Sequence, residues 1–161
     1  MQENKKALVL LNMGGARSKD ELKMFLTNMF NDRNIITVRN DLIRKMIAYF
    51  IVSRRLDSAW ENYKLIGDAS PINPLTEKLV QKCNEQIEGY KVYQAMRYTP
   101  PFAKDVIDEI IKEGIDNILL LPLYPQFSTT TTKSSIPKRG LKSSMTGIKI
   151  VYGRHPAHGV A

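Results

Sequence analysis

An aromatic ring, a block of hydroxyl groups and one amine follow an apolar run near residue 120. The run Ile118–Leu121 ends at Pro122, and Tyr124, Ser128 and the segment Thr129–Ser135 come next, the last with four threonines and a lysine. A short apolar run closed by proline is typical of a buried strand that ends there. Because open parallel sheets bind ligands at the carboxyl ends of their strands, these groups lie where such a fold would bind one.

Three further loops carry side chains suited to ligand contact. Asn12–Gly15 follows a predicted strand, and its glycines allow either close approach of a ligand or an ordinary tight turn; the GxGxxG dinucleotide pattern is absent. Pro71 holds Ser70 extended, which fixes its hydroxyl or simply marks a turn after a helix. Arg97 and Tyr98 follow another predicted strand, where a guanidinium can bind a carboxylate through two hydrogen bonds.

General acids and bases are scarce in these four loops. They contain no histidine, and Asp68 is their one carboxylate, so the agent of a proton transfer is not evident. The chain's histidines, His155 and His158, lie close to its end on either side of Pro156. Two imidazoles make an incomplete transition-metal site, so we assign no metal ligand. The one cysteine, Cys83, is interpreted as a bystander thiol.

Length and charge restrict the class of protein. A chain of 161 residues is most simply one domain, and no run of residues is long and apolar enough to span a membrane or to act as a signal peptide. The formal net charge is +8, and no acidic residue follows Asp116. Such a field favours anionic partners, such as carboxylate ligands, phosphates, nucleic acid or an anionic lipid surface.

Apolar periodicity alternates between strand and helix along the chain. This alternation predicts an α/β domain with a parallel four-stranded sheet flanked by helices. We expect one domain over 1–161, with a basic end over 136–161 that is less well ordered. The predicted strands are Ala7–Leu11, Lys91–Met96, Asn117–Leu121 and Lys149–Tyr152, and the predicted helices follow Ser18, cover Asp41–Ile66, run from Thr76 to near Gly89, and cover Phe102–Glu113.

The second predicted helix has an apolar stripe with basic neighbours. The stripe lies within Leu42–Ile51, and the basic residues around it are Arg39, Arg44, Lys45, Arg54 and Arg55. An amphipathic basic helix either packs its stripe on the core or lies on a membrane surface. The sequence leaves both alternatives open.

Several motifs, taken together and in order, resemble one family. They match the N-terminal half of ferrochelatases, which insert Fe(II) into a porphyrin to form haem. The matching segments are LLNMGG at 10–15, FLTNMFND at 25–32, YKLIG at 63–67 with SPINPLTE at 70–77, MRYTPPF at 96–102 and LPLYPQFSTTTT at 121–132.

The resemblance implies a chelatase-like fold of two similar four-stranded parallel α/β domains, with the porphyrin in the cleft between them. It places Met13 against the ring near the metal. It implies Fe(II) as substrate and no permanently bound cofactor. Members with an iron–sulfur cluster have a cysteine where Thr129 stands, so no cluster is implied. The porphyrin-binding residues that it implies are Met13, Asn62, Tyr63, Ser70, Arg97, Tyr98, Tyr124, Ser128 and Ser135.

The chain also departs from the family pattern. Asp68-Ala69 stand where the family usually has two glycines, and Lys133 stands where it has one. The histidine and glutamate on which metal insertion depends belong to the family's C-terminal half, so we identify no catalytic residue here. The ending Pro156–Ala161 echoes the family's histidine motif, but it follows Ser135 too soon, and we treat the echo as accidental.

The resemblance therefore predicts the N-terminal half of a ferrochelatase, a lyase of haem biosynthesis, which is not active alone. The alternatives are a small homodimeric tetrapyrrole metal chelatase and a non-catalytic module that binds porphyrin or another anionic ligand. The expected partners are the porphyrin, a missing C-terminal domain or a second copy, and a membrane touched peripherally through 42–51. We expect no nucleic acid partner. The expected location is the cytoplasm, either free or at the inner face of the membrane.

Overall fold

The structure, a computed structural model, describes residues 6–124 and the backbone of residues 149–152. Strands and helices alternate in the predicted order. The elements are β1 (Lys6–Asn12), α1 (Lys19–Phe30), α2 (Asp41–Lys64), α3 (Ile72–Gln86), β2 (Tyr90–Met96), α4 (Ala103–Lys112), β3 (Asn117–Pro122) and β4 (Lys149–Tyr152).

All ladders of the sheet are parallel. Strand β1 is central and pairs with β2 on one side and β3 on the other, and the short β4 pairs with β3, which gives the order β2-β1-β3-β4. Parallel neighbours require a crossover, and each described crossover contains a helix. The predicted α/β class, a parallel sheet flanked by helices, is confirmed. Of the predicted basic end 136–161, β4 is described and the other residues lie outside the described part.

Strand β1 is apolar on both faces because helices cover both sides of the sheet. Its odd-numbered residues Ala7, Val9 and Leu11 pack in a cluster that includes Ile107 and Ile110 of α4. The even-numbered Leu8 and Leu10 pack on the opposite face with Val80 and Cys83 of α3. Cys83 is therefore a packing residue in this domain.

Helices α1 and α2 pack against each other and form a third apolar cluster. The buried members of this cluster include Leu22 and Leu26 of α1 and Val52 of α2. The Ser18 hydroxyl accepts a hydrogen bond from the Glu21 backbone N–H at 3.2 Å, which confirms the predicted helix start.

The start of α3 differs from the prediction. The helix begins at Ile72, and its first backbone bond runs from the Leu75 N–H to the Pro71 carbonyl at 3.0 Å. Proline is well tolerated just before a helix because the first turn needs no N–H partner. Thr76, predicted to open the helix, is instead a buried residue inside it whose hydroxyl donates to the Ile72 carbonyl at 2.7 Å.

The apolar stripe of α2 faces solvent over most of its length. Leu42, Ile43, Met46 and Phe50 are exposed, with Met46 at 64% and Phe50 at 55%. The core alternative is therefore wrong for these residues. Helix α2 instead buries Arg44, Ala48 and Val52, which are spaced one turn apart. In the described part of the chain, no helix is both long and apolar enough to cross a membrane.

Candidate functional site

Three strands end together at one edge of the sheet. Asn12 of β1 lies opposite Met96 of β2, and Leu11 lies opposite Pro122 of β3. The loops after these strands are then tied to β1 and its own loop by backbone hydrogen bonds. In the β2 loop, the Arg97 N–H donates to the Asn12 carbonyl at 2.9 Å and the Tyr98 N–H donates to the Met13 carbonyl at 3.0 Å. After β3, the Leu123 N–H donates to the Leu11 carbonyl at 2.9 Å.

The paired glycines of the β1 loop pack against protein. Gly14 has a φ of +83°, and a Cβ there would collide with the hydroxyl of the fully buried Thr99 and approach the Met96 Cβ to 3.1 Å. A Cβ at Gly15 would collide with the side chain of Ser70. Protein atoms thus fill the positions that a Cβ would take at both glycines, and the glycines let three loops pack closely.

Helix α3 fastens the same loop from its first turn. The buried Asn73 amide donates to the Gly15 carbonyl at 2.7 Å and accepts from the Gly15 N–H at 3.1 Å. The Ser70 N–H donates to the Ala16 carbonyl at 2.8 Å, which brings Ser70 beside the glycines. The Asn12 amide donates to the Thr76 hydroxyl at 3.2 Å. The β1 loop is thus held by α3 as well as by the β2 loop.

A buried carboxylate lies beneath the β2 loop. Asp32, in the turn after α1, accepts through Oδ2 from Arg97 Nη2 at 2.9 Å, from Arg97 Nε at 3.3 Å and from the Tyr98 hydroxyl at 3.2 Å. The Asp32 side chain is 3% exposed and that of Arg97 is 37% exposed. The guanidinium therefore lies at the surface of the site while its anchor is buried.

Sequence reasoning missed Asp32. It considered the carboxylates of the four loops only, and Asp32 lies outside them, 65 residues before Arg97. The available signal was its position at the end of the segment FLTNMFND, directly after an amphipathic helix.

The other residues that the resemblance predicts to bind porphyrin differ in burial and in contacts. Tyr98 is 2% exposed, and its ring makes an edge contact with the Phe25 ring at 5.5 Å between ring centroids. Tyr63 stacks on Trp60 at 6.1 Å near the end of α2. Met13 and Ser70 are half-buried, Asn62 is exposed and Tyr124 is buried. Ser128 and Ser135, like Lys133, His155 and His158, lie outside the described residues.

A chain reversal links α2 to Ser70. Gly67 and Asp68 both have positive φ, at 91° and 63°, and the Asp68 N–H donates to the Tyr63 carbonyl at 3.0 Å. In the described part of the chain, Asp68 is the one non-glycine residue with positive φ. Aspartate tolerates this conformation better than most residues, which explains how it can stand where the resembling family has glycine.

A cavity of about 250 Å³ lies at this edge of the sheet. Asn12, Met96, Arg97 and Lys104 contribute to its lining, so two cations border it. Sites for drug-sized ligands are usually larger, at roughly 300–1,000 Å³. The cavity among the described residues is therefore smaller than most sites that enclose a ligand of that size. Within those residues, no group of three or more histidine, cysteine, aspartate or glutamate side chains could hold a metal ion.

Comparisons with known proteins agree on one family. A ferrochelatase family profile matches residues 5–147. The ferrochelatase of Nitratiruptor sp. is 50% identical over 131 residues, which cover 81% of this chain and 42% of that protein. The ferrochelatase of Sulfurimonas denitrificans is 51% identical over 133 residues, which cover 82% of this chain and 42% of that protein. The ferrochelatase of Helicobacter pylori strain J99 is 41% identical over 131 residues, which cover 81% of this chain and 39% of that protein.

The chain thus spans about two fifths of the length of the curated relatives that it matches. The match includes the loops after β1 and β2, the turn that carries Asp32 and the first turn of α3. By this match, the chain belongs to the ferrochelatase family.

Proposed function

We propose that this chain forms one wall of the porphyrin site of a ferrochelatase, an enzyme that inserts Fe(II) into a porphyrin to make haem. The observation that carries the proposal is the half-exposed guanidinium of Arg97 at the edge where β1, β2 and β3 end. A porphyrin combines a flat apolar ring with acidic side chains. A guanidinium binds carboxylates through charge-assisted hydrogen bonds, and the neighbouring Met13 offers apolar surface.

Insertion of Fe(II) into the porphyrin requires chemical steps that the residues of this wall do not account for. Two pyrrole nitrogens must lose their protons, and the ring must distort so that a desolvated Fe(II) can enter it. Ring contacts support the distortion, whereas the proton transfers need a base. We propose that a second α/β domain, in the part of the relatives that this chain does not match, closes the cleft and supplies that base.

Replacement of Arg97 by alanine tests the porphyrin site. Porphyrin binding to the full chain, followed by absorbance titration, is expected to weaken by about tenfold or more, because a hydrogen bond to a charged group contributes roughly 1.5–3 kcal/mol. Lys91→Ala is the matched control, since it removes the same charge at the opposite end of β2. Equal binding by the two variants would argue against Arg97 as a porphyrin contact.

Addition of Fe(II) without oxygen to the unaltered chain distinguishes the proposed wall from the homodimeric chelatase. A monomer that binds porphyrin and forms no haem argues against the homodimeric chelatase, and it is expected both for the proposed wall and for a non-catalytic binding module. A dimer that forms haem supports the homodimeric chelatase. A monomer that forms haem as fast as a two-domain ferrochelatase contradicts the need for a second domain.

We also propose that the exposed stripe of α2 touches a membrane peripherally, at the cytoplasmic face. Met46 and Phe50 project apolar surface into solvent, and the Arg54 guanidinium lies 4.1 Å from the centroid of the Phe50 ring. Exposed apolar groups with basic neighbours are typical of helices that lie in the interface of an anionic bilayer.

Vesicle flotation tests the membrane contact. The double variant Met46→Ser and Phe50→Ser is expected to lower binding to vesicles of phosphatidylcholine and phosphatidylglycerol by about tenfold or more, because two large apolar groups no longer enter the bilayer. Leu65→Ser with Ile66→Ser is the control, since these residues are also exposed but follow the other end of α2. If both double variants bind like the unaltered chain, the stripe is not the contact.

A further inference from the structure

The Asp32 carboxylate is held from two sides. Its Oδ1 accepts from the Asn34 backbone N–H and from the Asn34 side-chain amide, both at 2.8 Å. Its Oδ2 accepts from Arg97 and Tyr98. A buried carboxylate with this many donors is a fixed acceptor, because any rotation would leave a charged oxygen unpaired.

The turn that carries Asp32 is fixed independently of Arg97. The buried Arg44 guanidinium donates to the Asn31 carbonyl at 2.9 Å and to the Val38 carbonyl at 3.0 Å, so it holds both sides of the turn. Its charge is balanced by Asp41 at 2.7 Å. The Asn28 amide donates to the Tyr98 carbonyl at 2.9 Å and joins α1 to the β2 loop. Asp32 is therefore presented to Arg97 by the surrounding structure rather than drawn toward it.

The ion pair with Asp32 helps to order the Arg97 side chain. An arginine at a surface loses rotamer freedom when it binds a ligand, and this loss weakens binding. The Asp32 contacts use the Nε and Nη2 atoms of Arg97, so both the position and the plane of the guanidinium are set. A guanidinium binds a carboxylate well only when its plane and donors are aligned with the two oxygens.

We infer that Asp32 is a positioning residue that pre-orients Arg97 for a carboxylate of the porphyrin. Asp32 is too deeply buried to meet the ligand itself and acts through Arg97. The inference rests on the proposed function, because it takes the anionic ligand at this edge to be a porphyrin carboxylate. In this role, Asp32 and Arg97 together contribute to the tighter binding of porphyrins with free carboxylates than of porphyrin esters.

The test compares deuteroporphyrin IX, a soluble dicarboxylate, with its dimethyl ester, which has the same ring without the charges. The unaltered chain is expected to bind the free acid more tightly than the ester. Asp32→Asn is expected to weaken binding of the acid by about threefold to tenfold and to leave binding of the ester unchanged. Adding Asp32→Asn to Arg97→Ala is expected to cause no further loss, because the positioned group is already absent.

Asn34→Ala provides a second variant in case Asp32→Asn folds poorly. It removes one donor to Oδ1 and leaves the ion pair in place, so a smaller decrease in the acid-to-ester preference is expected. Thermal unfolding of each variant shows whether titrations are made on folded protein. A purely structural ion pair would lower the unfolding temperature without changing the preference.

The outcomes separate the two claims. If the unaltered chain binds neither compound, the proposed porphyrin site is wrong and the inference fails with it. If the unaltered chain prefers the acid and both variants, when folded, keep the full preference, the positioning role alone is wrong. Equal additional losses in the presence and absence of Arg97 would also contradict it.

Discussion

Gly14→Ala is expected to lower the free energy of unfolding by about 2–5 kcal/mol. The left-handed backbone at Gly14, with φ of +83°, costs a residue with a Cβ roughly 1–2 kcal/mol. The added methyl group would also collide with the Thr99 hydroxyl, and overpacking of this kind costs about 1–3 kcal/mol. Thr99 is fully buried, so its side chain cannot turn away from the added methyl group into solvent.

Gly89→Ala separates these two contributions. Gly89 has a similar φ of +76°, but a Cβ there would have no atom within 4 Å, so only the backbone cost of about 1–2 kcal/mol is expected. Urea unfolding of the two variants, with the unaltered chain as reference, measures the difference. Equal losses would show that the β1 and β2 loops relax apart easily, which contradicts the close packing that we ascribe to Gly14.

The arrangement of strands and helices was predictable because its signals are local. The Ser18 cap, the apolar run Ala7–Leu11 and the proline after Leu121 each determine structure within a few residues of themselves. Even so, the sequence predicts that a turn containing Pro71 lies before a helix that opens at Thr76, whereas Pro71 directly precedes the helix. Boundaries depend on which backbone groups find partners, and the Leu75 N–H found the Pro71 carbonyl.

The exposed face of α2 was not predictable from its pattern. An apolar stripe shows which residues share a face, but not what covers that face. Here the buried face includes Arg44, which sequence reasoning counted among the basic neighbours of the stripe. Its guanidinium is accommodated because two carbonyl groups, those of Asn31 and Val38, point at it in the folded chain. No property of Arg44 in the sequence reveals those acceptors.

The sequence predicts where the candidate site lies, but it does not predict which side chains contact each other within the site. Parallel strands bring their carboxyl ends together, so Arg97 and Tyr98 were expected beside the β1 loop, and they are found there. The partner of Arg97 and the close packing of Gly14 on Thr99 depend on residues far apart in sequence. A single sequence carries no local signal for such pairs.

The second large effect is expected for Asn73→Ala, which should lower the free energy of unfolding by about 2–6 kcal/mol. The substitution removes both hydrogen bonds between Asn73 and Gly15. Gly15 is buried, so its N–H and its carbonyl would each lose a partner where water cannot readily replace it. A buried group left unpaired costs roughly 1–3 kcal/mol.

Asn84→Ala is a close control because the same helix repeats the same bridge near its other end. The Asn84 amide accepts from the Val92 N–H at 2.8 Å and donates to the Val92 carbonyl at 3.0 Å. The two Asn84–Val92 hydrogen bonds are only partly buried, because Asn84 is exposed although Val92 is buried. Water can therefore reach the Val92 groups from the Asn84 side more readily than it can reach Gly15, and a smaller loss of about 0.5–1.5 kcal/mol is expected. The losses of unfolding free energy that urea unfolding measures for the two variants would then differ mainly because water reaches the Val92 groups more readily than the Gly15 groups. A loss for Asn73→Ala no greater than for Asn84→Ala would mean that solvent reaches Gly15. In that case the first turn of α3 would not be what holds the β1 loop at the candidate site.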